Sequence, residues 1–241
     1  MRVAVISDVH ANEHALEAVL HEIDDAAPDE LWCLGDVVGY GPAPNPCCEV
    51  VAERADLCLV GNHDLVALGK LDIGDFNDDA AAAALWTRDE LTERSREFLS
   101  GLAPQAGAAE AELFHASALD PIWEYVLTAE TAYESLLATR APIVLVGHSH
   151  VALAVGVSGS ELHSGLAPGG TELALEGRWL LNPGSVGQPR DGDPRAAWLE
   201  LDTTNHVARF HRVVYPVERT QDEMRERGLP SMLVERLTHG V

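Results

Sequence analysis

The sequence predicts an α/β protein of two packed mixed sheets flanked by helices, with residues 1–241 forming one domain. Three observations predict it. Apolar runs alternate with helix-spaced segments over residues 1–65, a βαβαβ pattern that implies parallel strands. Beyond residue 150, short strand-like runs are separated by Gly, Pro, Asn and Asp, which implies a mainly antiparallel second half. Several apolar runs also stop at Asp, Asn or His, and in layered α/β folds ligands collect beyond the carboxyl ends of strands.

Taken in order, Val3-Ala4-Val5-Ile6-Ser7 predicts a buried strand over 2–7 that delivers Asp8 and His10. Ala15, Leu16, Val19, Leu20 and Ile23 follow helical spacing and predict a helix over 12–26, with Asn12 as its N-cap. A strand at 31–35 leads to Asp36, and a Gly/Pro-rich loop then carries Tyr40. A helix over 46–55 precedes a strand at 57–61 that leads to Asn62-His63-Asp64. Residues 76–100 read as wholly helical, and a strand ends at His115. A helix over 129–140 precedes the strand at 143–147, which leads to His148-Ser149-His150. Strands at 151–157, 171–175, 178–181, 195–201 and 206–214 follow, and the last 25 residues predict one or two short helices.

Composition narrows the function. The formal charge is −23, with Lys70 the only lysine. Such self-repulsion favours solubility and is screened at molar salt, so a salt-rich, halophilic setting is expected. It also argues against an extended nucleic-acid surface, which needs cations to displace counterions. No run approaches the ~18 apolar residues of a membrane span, and a cytoplasmic protein is expected. Cys33 and Cys58 lie in strand-like runs and read as small buried apolar residues, Cys47-Cys48 match no zinc spacing, and no disulfide framework is expected.

The residues at the strand ends are a mixed oxygen and nitrogen donor set without thiolate. Asp8, Asp36 and Asn62 offer oxygens; His10, His115, His148 and His150 offer imidazoles. Such sets suit Mn²⁺, the leading expectation here, or Fe, Zn²⁺, Ni²⁺ or Co²⁺. Two divalent ions against Asp8 and Asp36 would leave a locally cationic site within an anionic protein, which draws a phosphate ester. A pair of ions can activate a bridging water and orient a phosphoryl group. His63 is placed to protonate the leaving group and Asp64 to orient its ring.

Asp8-Val9-His10, Gly35-Asp36-Val37-Val38-Gly39-Tyr40-Gly41-Pro42, Gly61-Asn62-His63-Asp64, His115 and Gly147-His148-Ser149-His150 together resemble the calcineurin-like metallophosphoesterase superfamily. The resemblance implies a four-layer αββα sandwich. It implies one metal held by Asp8, His10, Asp36 and His150, a second by Asp36, Asn62, His115 and His148, and His63 at the leaving group. Asn182 to Arg190 and Trp123-Glu124-Tyr125 look like its compact prokaryotic phosphodiesterase branch. Ala116 and Ser149 depart from the frequent glycine and threonine, and neither removes a ligand.

The implied function is hydrolysis of small phosphate esters, diesters foremost. A scaffold that has lost catalysis is the alternative from another class, and a monoesterase acting on nucleotides or phosphoproteins is the third reading. Arginine is absent close behind Asn62-His63, which weighs toward diesters. Arg190 reads either as a phosphate clamp or as an ion pair with Asp191 or Asp193. Tyr40 either lines the substrate mouth or packs on Pro42 and Pro44. Trp123 and Tyr125 either stack on an aromatic group or belong to the core. The oligomeric state is open, with 76–100 one candidate surface for a homo-oligomer, lid or ordinary packing.

Overall fold

The computed structural model describes residues 1–159 and 161–241. Two six-stranded mixed sheets face each other. The first runs in the order β3 (Leu57–Cys58), β2 (Glu30–Cys33), β1 (Arg2–Ile6), β11 (Ala196–Asp202), β12 (Val207–Val213) and β9 (Glu172–Ala174). The second runs β4 (Gln105–Ala108), β5 (Ala111–Phe114), β6 (Ile143–Val146), β10 (Arg178–Asn182), β7 (Leu153–Ser158) and β8 (Glu161–Leu166). β1, β2 and β3 are parallel, as are β5, β6 and β10; the remaining pairings are antiparallel.

The alternation along β1 shows how the layers form. Val3 and Val5 point between the sheets with Trp32, Leu34, Leu113, Leu145, Leu181 and Leu199. Ala4 and Ile6 point outward under α1 (Glu13–Ala26) and α2 (Pro44–Arg54). Burial on both faces is why this strand reads as an unbroken apolar run. On the far side, α6 (Ala129–Ala138) covers Val144, Val146 and Leu180. Each large side chain wholly buried in these layers gains about 1.5–3 kcal/mol before entropy is charged against it. The result is the expected helix-sheet-sheet-helix sandwich.

Four segments differ from the sequence expectation. The helix over 76–100 is two helices, α4 (Asp78–Glu90) and α5 (Glu93–Ser100), because the Thr92 hydroxyl caps the second by accepting from the Ser95 N–H. A short helix α3 (Asn62–Ala67) starts directly at the predicted site, where no element was expected. Strands β4 and β8 were not expected, since Gln-Ala-Gly-Ala has little strand propensity and β8 is exposed along its whole length. Cys33, Cys47 and Cys48 are buried and Cys58 is half-buried, all as free thiols.

The chain ends in α7 (Val217–Glu226) and α8 (Ser231–Arg236). Met224, Leu233, Val234 and Leu237 pack with Ala80 and Ala83 of α4 around Tyr40. The C-terminus is thereby brought against the loop that follows Asp36. No helix among the described residues is long and apolar enough to cross a membrane.

Candidate metal centre

The carboxyl ends of β1, β2, β3, β5 and β6 converge, and the segments that follow them carry the predicted metal ligands. Asp8, His10, Asp36 and His150 form one buried group of donor atoms; Asp36, His115 and His148 form a second. Asn62 joins the second, its Oδ1 lying 3.2 Å from His115 Nε2. Asp36 belongs to both groups: its Oδ2 lies 3.6 Å from His10 Nε2 and 3.5 Å from His115 Nε2. All seven predicted ligand residues are brought together.

Local backbone makes this convergence possible. Asp8, His10, Asp36, His148 and His150 all sit at positive φ, between 49° and 62°. Asp and His tolerate this region better than most residues, yet each instance still costs about 1–3 kcal/mol unless its surroundings enforce it. Here they do. The Asp8 N–H donates to Gly35 O, and the His10 N–H to Asp36 O. From the other side, Val186 N and Gly187 N donate to Ser7 O and Asp8 O, and Asn182 Nδ2 donates to Gly147 O.

Close approach explains two glycines. A Cβ on Gly61 would lie 2.0 Å from Asp36 Oδ1, and one on Gly147 would lie 2.0 Å from Ser7 Oγ. Gly61→Ala is therefore expected to displace the shared carboxylate and weaken Mn²⁺ binding about 10–100-fold in a calorimetric titration. Binding at wild-type strength would show that Asp36 does not hold the ion.

The imidazoles are oriented one by one. His10 Nδ1 meets Val38 O at 3.1 Å, His115 Nδ1 meets Leu34 O at 2.9 Å and His150 Nδ1 meets Gln188 O at 2.6 Å. A carbonyl only accepts, so each Nδ1 carries the proton and each Nε2 presents a lone pair. Yet His10 Nε2 and His150 Nε2 face each other at 3.0 Å, and His115 Nε2 faces the Asn62 amide oxygen. Asp36 Oδ2 and His148 Nε2 are buried without a partner. Acceptors turned upon acceptors in a buried pocket are unfavourable unless a cation lies among them. The donor set fits divalent metal ions.

Protonation in the metal-free protein agrees. Burial raises the Asp8 pKa to about 7 and raises Asp36 well above the carboxylate range, with Asp64 adding to the latter. Burial likewise lowers His10 and His150 far below the usual value and His148 to about 2. In each of these five groups burial is the largest cause, penalising the charged form.

His63 is the first residue after the helix-opening Asn62, and its backbone N–H donates to Asp36 Oδ1 at 2.8 Å. Its ring contacts those of His10, Tyr40 and Phe76, with centroids 4.8, 4.2 and 4.4 Å away. Asp64 does not orient that ring, contrary to expectation. Its carboxylate accepts from Val38 N at 2.9 Å and Gly61 N at 3.0 Å, while His63 Nδ1 is buried and unpartnered. At the third helical position a carboxylate caps the helix start, and this local bond wins.

The ion-pair reading of Arg190 is not what the structure holds. Asp191 pairs with Arg212 and Asp193 with Arg195, while Arg190 donates to Gln188 Oε1 and the Tyr40 hydroxyl. Tyr40 is 7% exposed, so it packs while still touching His10 and His63 at the inner wall. Tyr125 is half exposed and stacks on His148, and Trp123 meets Phe76 edge to face. Sequence reasoning passed over Phe76 and Gln188, which have no metal-binding chemistry to signal them.

A fold and a donor set of this kind define a metallophosphoesterase. The calcineurin-like phosphoesterase superfamily domain matches residues 1–204, and the chain belongs to that family. It is 35% identical to an uncharacterized protein of Methanocaldococcus jannaschii, over 99% of this chain and 98% of that one. The crystal structure of a metallophosphoesterase from Sphaerobacter thermophilus superposes with a TM-score of 0.90 at 40% identity, covering 100% of this chain and 99% of that one. A symmetrical bis(5'-nucleosyl)-tetraphosphatase of Chromohalobacter salexigens is 32% identical over 60% of this chain and 54% of its own length.

Proposed function

We propose that the chain hydrolyses small phosphate esters, diesters foremost, at a dinuclear centre. Asp8, His10, Asp36 and His150 would hold one divalent ion, and Asp36, Asn62, His115 and His148 the other, with Mn²⁺ the first metal to test. Such ions, when bound, polarise a phosphoryl oxygen and supply a nucleophile at neutral pH. The observation that carries the reading is the pair of imidazole lone pairs 3.0 Å apart, His10 Nε2 against His150 Nε2, beside a shared buried carboxylate.

The protein's own groups divide the remaining work. Arg190, which bonds the Tyr40 hydroxyl at the cluster's edge, orients the phosphoryl anion. His63 holds a proton for the leaving oxygen; its pKa is lowered mainly by burial, so an arriving phosphate anion is what favours its charged form. Tyr40, Phe76 and Trp123 line the approach and exclude water around His63. The activity would sit in one cytoplasmic domain, 1–241, and the −23 charge suits it to a salt-rich setting.

Purified protein assayed on chromogenic mono- and diesters with Mn²⁺, Ni²⁺, Co²⁺, Zn²⁺ or Mg²⁺, in dilute and in molar salt, tests this. Metal-dependent turnover, faster on diesters, is expected. A nucleoside polyphosphate belongs in the panel because of the tetraphosphatase relative. Failure on every ester in both salts, with a stable protein partner in pull-downs, would establish the scaffold alternative instead.

A further inference from the structure

We propose that Arg236, on the C-terminal helix α8, joins Arg190 and Gln188 in a second anion subsite beside the metal centre. It would take a phosphate or similar anionic group of the substrate that flanks the phosphoryl group under attack. The identity of that group as part of a substrate rests on the phosphoesterase reading; the subsite itself does not.

Two guanidiniums meet on one neutral oxygen. Arg190 Nη2 donates to Gln188 Oε1 at 2.9 Å, and Arg236 Nη1 donates to the same atom at 3.3 Å. Two donors on one atom fix the amide orientation, so Nε2 is the other end. That Nε2 is buried without a partner, as is Arg190 Nε, in a glutamine only 2% exposed. Apart from Gln188 Oε1 and the Tyr40 hydroxyl, the polar side-chain atoms of Gln188, Arg190 and Arg236 are donors, and unmet buried donors call for an acceptor.

The charges point the same way. In a chain with 39 acidic and 16 basic side chains, these two arginines avoid the acids. Among the described residues neither makes an ion pair: Asp191 and Asp193 are engaged by Arg212 and Arg195, and Asp79 acts on Arg236 only from beyond ion-pair distance. Burial and the neighbouring Arg190 guanidinium lower the Arg236 pKa, as expected of like charges lacking an anion between them. Paired planar forks are the side-chain arrangement best suited to phosphate oxygens.

Position separates the two roles. The Arg190 guanidinium lies 5.7 Å from the Tyr40 ring centre, and that ring lies 4.6 Å from His10. Arg190 acts on Asp8, His10, Asp36, His148 and His150 alike. Arg236 reaches the same Gln188 oxygen from α8, whose Leu233 and Val234 pack in the cluster around Tyr40. A group bound there would flank the reacting one.

The test is calorimetric binding of inorganic tripolyphosphate to the metal-free full chain. Compared with wild type, Arg236→Gln is expected to weaken binding about tenfold or more, and Arg236→Lys less, since the charge remains but the fork is lost. Arg225→Gln controls for net charge; Arg225 is exposed on α7 and pairs with Asp222, and its loss is expected to leave binding as it was. In the metal-loaded enzyme, Arg236→Gln should lower kcat/KM for a phosphate-bearing ester about tenfold more than for a diester with an uncharged flank. Absence of tripolyphosphate binding in wild type, equal binding by Arg236→Gln, or an equal loss in Arg225→Gln overturns the proposal. If Arg236→Gln does not fold, an undiminished affinity in Arg236→Lys overturns it. Ester turnover without an Arg236 effect removes the subsite alone; an Arg236 effect without any ester turnover removes the phosphoesterase reading alone.

Discussion

Asp36→Asn is expected to abolish turnover, cut metal content, and make the metal-free protein more stable. Asp36 is the one residue common to both groups of donor atoms. Its Oδ1 is committed to the His63 N–H, while Oδ2 is buried, unpartnered and directed at the Nε2 atoms of His10 and His115. Asparagine keeps the shape and one acceptor. At the second position it places an N–H donor among lone pairs, so hydrogen bonds replace what a cation would supply. Removing a desolvated carboxylate and satisfying its neighbours is worth about 1–3 kcal/mol, or a rise of a few degrees in Tm for a chain of this size. Loss of the shared ligand removes several kcal/mol of transition-state stabilisation, a fall of about a thousandfold or more in kcat. Thermal melts with and without Mn²⁺ and elemental analysis read both effects. Wild-type protein should gain stability on adding Mn²⁺ and the variant should not. A variant that retains full metal and full turnover would show that the Asp36 carboxylate is not needed to hold the ions.

His63→Ala should separate metal binding from proton delivery. The His63 side chain belongs to neither group of donor atoms, and its contact with Asp36 runs through the backbone N–H, which alanine retains. Metal content is therefore expected to stay at the wild-type level. Turnover on an ester with a poor leaving group should fall about 100–10,000-fold, with a much smaller loss on a nitrophenolate that departs without a proton. Equal losses on both substrates would assign the ring to packing against Tyr40 and Phe76 instead. A melt run alongside distinguishes that outcome from a loosened site.

The sequence by itself determined most of the strands, the parallel run of β1 to β3, and which Asp, Asn and His residues converge. Each of these rests on a local signal: an apolar run buried on both faces, ended by Gly or Asp, then a residue with metal-binding chemistry. What lacked such a signal was decided only in three dimensions. Thr92 splits the 76–100 segment because a cap competes with helix continuation, and neither choice is visible from periodicity alone. Asp64 was read as the partner of His63 from adjacency, yet helix capping turns its carboxylate back to the Gly61 and Val38 N–H groups.

Arg236 is the clearest case of the second kind. It lies 46 positions beyond Arg190 by the numbering, in a tail with no motif. Packing of α7 and α8 on Tyr40 brings it to Gln188. The absence of arginine behind Asn62-His63 was a true statement about sequence neighbours, and it did not describe the neighbours in space. Ligand identity is written in residue type at a strand end, because the fold class dictates where such ends meet. The charge surrounding those ligands depends on which distant helix the hydrophobic core pulls over them, and no short stretch of sequence encodes that choice.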